Sequence, residues 1–463
     1  MKKWLSIVVA FALLFLVGFL WTPPEGLSPE GQRALGIALF AIVVWFTQAM
    51  SDAVSGIFIV FLLAVTGAVS LSGSLSGYSN TSLWLIVIGF VMAAAMEKTG
   101  LSRRIALQML RAVGGRSIAT YWAVFAVMVV LTFLVPSITA RTLLMLPILL
   151  GIGEAFGAKE DSKLMRGLLF IVAIAGTALS IGVLTAHVGN PTTAAFIEEA
   201  TGQYIGWATW FKYGFPPALI LGIIFVFLII WMWKPEQEDL GGGISYLDRE
   251  IQKLGPITRD EIYVLVVFLA TVILWATDSF HGIKAVVVGF GTMAALLLPG
   301  VGPITWKEAQ ARVPWNVFIL YGAGLSMGSA LASSGAAAWL ASVGLSPIAH
   351  LPLTVQAVCL IWLVTALQVF FTGGGPKTTA LTPVIIAHAT AIGVNPLFLA
   401  LPLGLNMHHQ YMLPVSNMPN AVITGTPYVP MKDLLKTGVV ASIVACVFFS
   451  IVVFTYWSWV GLF

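Results

Sequence analysis

Two basic residues lie deep in apolar stretches and share a local pattern. Arg141 stands in Pro136-Ser-Ile-Thr-Ala-Arg141-Thr142 and Lys377 in Thr372-Gly-Gly-Gly-Pro-Lys377-Thr378. Each is followed by Thr, and each precedes a Pro (Pro147, Pro383) by six residues. A cation inside a membrane costs roughly 2.5–3.5 kcal/mol on insertion scales. Two of them at matched points suggest a binding site for something negative. Arg offers a planar fork suited to a carboxylate, and Lys a point charge. Neither motif contains Asp or Glu, so an anionic substrate is the natural counter-ion. The plainer alternative is a structural tie to helix-end carbonyls, or snorkelling to an interface.

A second pair of motifs lies downstream. Val188-Gly189-Asn190-Pro191-Thr192-Thr193 and Val415-Ser416-Asn417-Met418-Pro419-Asn420 each interrupt an apolar run. Each would free backbone N–H groups at the start of a half-helix, whose positive end favours an anion. Ordinary kinks or surface loops are the alternative. His187 lies two residues before the first motif and would sense substrate charge or simply be a satisfied buried histidine. His408 and His409 are read as mid-helix residues in the run 396–414, pointing apart and so unsuited to a metal pair.

The elements that must position these residues are membrane helices. The chain is 59% hydrophobic and 9% charged, with a mean hydropathy of +0.97. A soluble protein carries about 25% charged residues. Apolar runs near the ~20 residues of a bilayer crossing recur throughout. The pI near 9.0 does not point to nucleic acid, because the basic residues have a topological explanation. Cys359 and Cys446 fall inside apolar spans, which argues against a disulfide. The Lys2-Lys3 start and the run to Leu20 are read as a retained first helix.

The fold class expected is all-α and polytopic, with about 11 transmembrane helices plus two re-entrant hairpins in two inverted-topology repeats. Residues 1–30 form a first crossing and external loop. Residues 31–233 form repeat 1, with an inward-opening hairpin at about 118–152 whose second arm is short. Residues 234–261, with Gly241-Gly-Gly243, read as a cytoplasmic linker. Residues 262–463 form repeat 2, with an outward-opening hairpin at about 352–393. This topology puts 18 of the 23 basic residues inside, as the positive-inside rule requires. The N-terminus is then cytoplasmic and the C-terminus external. Ser102–Val113 reads as an interfacial helix with Arg103, Arg104 and Arg111 on its wet face.

Nearly the whole chain resembles the divalent anion/sodium symporter family of dicarboxylate, tricarboxylate and sulfate carriers. The resemblance rests on Gln32-Arg33-Ala-Leu-Gly-Ile, Met96-Glu97-Lys98-Thr99-Gly100-Leu-Ser-Arg103-Arg104-Ile-Ala-Leu and Pro314-Trp315-Asn316-Val. It implies that the family's Ser-Asn-Thr signatures fall on Ser137-Ile138-Thr139 and on Gly373-Gly374-Gly375, and its Pro-rich loops on 189–193 and 416–420. It also implies an elevator-like homodimer in the plasma (inner) membrane. Ile138 and the three glycines lack the signature's oxygen ligands, and a basic residue follows each tip. The chain is similar in this to the family's basic-tip exchangers.

The expected function is therefore secondary transport of small dianions such as dicarboxylates, by sodium-independent exchange. Arg141 and Lys377 would bind opposite carboxylates, with Ser137, Thr139, Thr142, Thr378 and the two loops adding hydrogen bonds. Sodium-coupled symport is the alternative; only then would a weak Na⁺ position arise, near Ser137 and Gly189. An anion channel is the rival of another class, and matched inverted halves suit it less. No nucleophile–base or zinc-protease pattern supports an enzyme. No cofactor or nucleic-acid partner is expected; the lipid bilayer is.

Overall fold

The computed structural model describes residues 2–239, 242–371 and 373–463. Thr372 and Gly241, named above, lie outside the described residues. The described chain is helical, and its only bridge is an isolated one between Arg116 and Asp239. Ten of its helices are long and apolar enough to cross a membrane. Asp52–Val65, Ala285–Leu297 and Leu397–Asn406 are shorter apolar helices.

The helices form two apolar cores. The smaller joins Lys2–Phe15, Pro29–Thr47 and Asp52–Val65 to Trp315–Ser333 and Ala336–Gly344. The larger holds both sequence motifs and spans both halves of the chain. The two meet where Trp315–Ser333 packs on Gly374–Ala391. Its glycines allow the close approach: Gly324 faces Thr379, and Gly328 faces Phe196 and Pro383.

Several local expectations change. The arm after Arg141 is not short: it runs Ile138–Phe156, because Pro147 is accommodated within it and the helix ends only at Gly157 (φ 70°). The run 396–414 is not one helix. Leu397–Asn406 stops before His408 and His409, which lie in an irregular stretch. The linker contains an amphipathic helix, Gly243–Leu254, packed on Leu101–Arg111 and Ile138–Phe156. Arg103 and Arg111 reach it through Glu250 (2.5 Å) and Asp248 (2.9 Å).

Arg104 is not on a wet face. It is 7% exposed and pairs with Glu261 (2.6 Å), while its guanidinium also donates to the carbonyl of Gly255 (2.9 Å). Polar helix-end carbonyls, rather than water, complete its hydrogen bonding. Breaking one side of a buried pair costs about 3–5 kcal/mol, far more than losing an exposed one. Glu261→Gln should therefore lower the thermal midpoint of the detergent-solubilised protein clearly. Lys98→Met, which breaks the exposed pair with Glu308, should barely move it. Equal midpoints for both variants would contradict the ranking.

Candidate functional site

The first tip forms because Pro136 cannot continue a helix and forces the residue before it to extend. Ser117–Leu134 ends there, with Val135 extended. Ser137 caps the next helix, its Oγ accepting from the Ala140 N–H (3.3 Å). Three residues inside that helix, Arg141 turns inward and is fully buried. Its guanidinium donates to Thr132 Oγ1, to Ser180 Oγ (2.9 Å) and to the Ala186 carbonyl (3.0 Å). Every one of these partners is neutral. Thr142 is also buried and donates to the Ile138 carbonyl (2.9 Å).

The second tip has the same plan with different chemistry. Leu353–Ala366 tightens into Leu367–Phe370, and a new helix starts at Gly374. Gly373 has φ 135°, a conformation that side chains oppose. Lys377 is fully buried, and its Nζ donates to the Val364 carbonyl (3.3 Å). Thr378 donates to the Gly374 carbonyl (2.7 Å). Among the described residues neither Arg141 nor Lys377 meets a carboxylate within ion-pair distance.

Downstream of each tip a helix breaks and resumes. Asn190 Nδ2 donates to the carbonyls of Ser180 (2.9 Å) and Val183 (2.8 Å). Asn420 Nδ2 donates to those of Gln410 (3.0 Å) and Leu413 (3.2 Å). The two spacings are identical, ten and seven residues back. Asn190 therefore corresponds to Asn420, three residues from the register that pairs it with Asn417. His187 becomes the counterpart of Asn417.

A cavity of about 740 Å³ gathers much of this together. Ser137, Ile138 and Thr139 line it from the first tip, and Gly373, Gly374 and Gly375 from the second. Ser416, Asn417 and Met418 line it from the second break. The other expected residues stand elsewhere. Arg141, Thr142, Lys377 and Thr378 lie behind the tips, engaged as above. Gly189, Asn190, Pro191, Thr192 and Thr193 are buried in the first turn of Gly189–Thr201. Pro419 and Asn420 are likewise buried. The first break reaches the cavity instead through His187 and Val188.

Further lining residues, not legible from the motifs, come from outside the two tips and breaks: Trp45, Gln48, Asp52, Asn316, Tyr321 and Lys3. One signal was available: Gln48 ends the Pro29–Thr47 helix in a left-handed conformation (φ 49°), at a Thr-Gln-Ala-Met-Ser-Asp polar break.

At the two tips the cavity wall is positive by construction. Two helices begin on it, at Ile138 and Gly374, and their first N–H groups have no partner within the helix. The two buried cations stand one turn behind. Side-chain oxygens for a Na⁺ shell near Ser137 and Gly189 are few: the Ile138 side chain is hydrocarbon, Ser137 Oγ accepts from the Ala140 N–H, and the His408 ring lies beside Gly189. A hard cation needs several oxygens. Among the described residues no three His, Cys, Asp or Glu side chains group around a metal position.

The family model for the sodium:sulfate symporter transmembrane region matches residues 1–463. A membrane protein of Cupriavidus necator is 32% identical over 461 residues, covering 95% of this chain and 89% of that one. The sodium-dependent dicarboxylate transporter SdcS of Staphylococcus saprophyticus is 28% identical over 470 residues, covering 96% and 89%. In fold, the chain is similar to the YdaH transporter of Alcanivorax borkumensis, with a TM-score of 0.58 at 13% identity over 99% and 98% of the chains.

The packing at the second tip makes a strong demand. A methyl group on Gly374 would be built into the His408 ring. Gly374→Ala should therefore lower the thermal midpoint, and adding His408→Ala should restore part of the loss. A double variant no more stable than the sum of the two single effects would mean that the ring and the glycine do not interact.

Proposed function

The chain belongs to the divalent anion:sodium symporter family of membrane transporters, and from that premise we propose that it carries small dicarboxylate-like dianions by alternating access, exchanging one for another without sodium. The observation that carries this reading is the pair of buried cations, each placed behind a tip that lines one common cavity. Arg141 and Lys377 act from behind the tips. The groups that touch the substrate are Ser137, Thr139, Asn417 and the N–H groups of the tip backbones. In this arrangement the two carboxylates of the substrate face one tip each.

The name of the SdcS relative supports the dicarboxylate. On sodium the local residues favour the opposite reading, because Ile138 and Gly373–Gly375 supply no side-chain oxygen and fixed positive charge stands behind each tip. An empty site moves two uncompensated cations through an apolar interior, which is costly. Substrate cancels that charge, so the loaded site reorients faster, and exchange follows from that difference. With Lys3 on the cytoplasmic side, the cavity as described opens inward. We place the protein in the plasma membrane with its C-terminus external, as a homodimer in which each protomer carries substrate by itself.

Counterflow in proteoliposomes tests this. Labelled succinate should enter in choline medium, and internal succinate should accelerate it. Uptake that scales with a Na⁺ gradient and vanishes in choline would overturn exchange in favour of symport. Current without trans-stimulation would indicate a channel. Arg141→Gln or Lys377→Gln should lower succinate affinity by roughly a hundredfold, as expected when about 3 kcal/mol of buried ionic interaction is lost. The size-exclusion profile should stay unchanged. Normal affinity in both variants would reduce the two cations to structural ties.

A further inference from the structure

One imidazole stands between the two halves of the site. His408 is 2% exposed, and neither of its ring nitrogens has a hydrogen-bond partner among the described residues. Gly189 presses on its Nε2 edge and Gly374 on its Nδ1 edge, so that a side chain at either position would enter the ring. Its ring lies against that of His187 in a tilted pair, with centroids 3.8 Å apart and planes inclined by 38°. His187 in turn lines the cavity. The Nδ1 of His187 accepts the Gly189 N–H (3.1 Å), which leaves Nε2 as the protonated nitrogen of the neutral ring. The acceptor of His187 is thus already used. The unpartnered acceptor nitrogen of His408 is not.

We infer that His408 takes up a proton when a dianion binds at the tips, with His187 covering it from the cavity. The inference rests on the functional reading above. The titratable groups that act on His408 are His187, His409 and Lys377, and Arg141 acts on His187. One carboxylate, Asp52 at the start of Asp52–Val65, lines the same cavity, and its charge acts on Tyr321 rather than directly on His408. In the empty site, then, a proton on His408 would add a further positive charge beside Lys377 and Arg141. A dianion in the cavity lies in front of those cations and next to His187. It cancels the positive potential that opposes protonation. The proton comes from the solvent buffer and occupies the free ring nitrogen; no other bond changes. Substrate and proton then bind together, and affinity rises as pH falls.

Titration calorimetry of the full-length protein in detergent reads this directly. At pH 7.5 both carboxylates of succinate are ionised, carboxylic acids having pKa values near 4. Any proton taken up must therefore go to the protein. The heat of succinate binding should differ between Tris and HEPES by the difference in their ionisation heats, for on the order of one proton per succinate. The Kd should weaken by up to about tenfold per unit rise in pH. His187→Gln should reduce the buffer difference and His408→Gln should abolish it, each with an unchanged size-exclusion profile. Identical heats in the two buffers for the wild-type protein would overturn the inference and leave the carrier reading standing. So would a buffer difference that persists in both variants. Absence of succinate binding in either buffer would overturn the carrier reading and this inference with it.

Discussion

A helix broken in apolar surroundings leaves carbonyl groups that water cannot reach, and each must find a donor inside the protein. Asn190 and Asn420 meet that constraint in the same way. Each amide reaches back over the break to two carbonyls, at the same two spacings. Trp210 Nε1 serves a further carbonyl of the first break, that of Ile181 (2.8 Å). These clasps fix the direction in which the chain leaves each break, and so place His187 and Asn417 on the cavity wall. Proline does not explain the repetition. Pro191 follows its Asn and Pro419 precedes its own. Asn417 also ties the second break to the first half, through Thr177 Oγ1 (3.1 Å).

Charge is handled by enclosure rather than pairing. Arg141 spreads its fork over Thr132, Ser180 and Ala186, which engages both terminal nitrogens, leaves Nε without a partner among the described residues and does not cancel the charge. Lys377 is held more loosely, by the Val364 carbonyl. Both are sealed from solvent, so neither collects counter-ions from water. Their field acts on the cavity through protein of low polarity, where a charge is felt farther than in water. The helix starts at Ile138 and Gly374 add the same sign. The wall thus attracts an anion without exposing either cationic side chain.

The sequence carried the class, the two tips and the two breaks, because apolar runs of membrane length and charges placed inside them rarely arise in any other kind of protein. It was less informative about which atoms face the cavity. Arg141 and its neighbours Thr139 and Ile138 lie close together in the chain, yet only the latter two line the cavity, since successive residues point in different directions around a helix. The register of the breaks was also hidden. Asn190 and Asn417 look equivalent in a short motif, and only the carbonyls each side chain reaches distinguish them. Arg104 was misplaced because amphipathic spacing treats every basic residue as wet, whereas Glu261 and the carbonyl of Gly255 surround this one. The remaining lining, from Trp45 to Asp52 with Asn316 and Tyr321, comes from other helices and stood outside the paired tips and breaks.

The three glycines of the second tip show how an apparent loss of chemistry becomes a gain. In sequence they delete every side-chain oxygen that the tip would offer. In space each has a different cause. Gly373 supplies a backbone angle that a side chain opposes. Gly374 yields its space to the His408 ring, and Gly375 yields its own to the Tyr321 hydroxyl. Those two side chains come from distant segments, one after Leu397–Asn406 and one from Trp315–Ser333. The bare tip therefore admits an imidazole on one side and a phenol on the other. Because the Tyr321 helix also belongs to the smaller core, the tip's contact with it joins the two packed units beside the cavity. Tyr321 itself packs in the larger core while Leu320, Ala323 and Met327 of the same helix pack in the smaller one, so this helix carries the seam between the units and holds the bare tip from one of its faces.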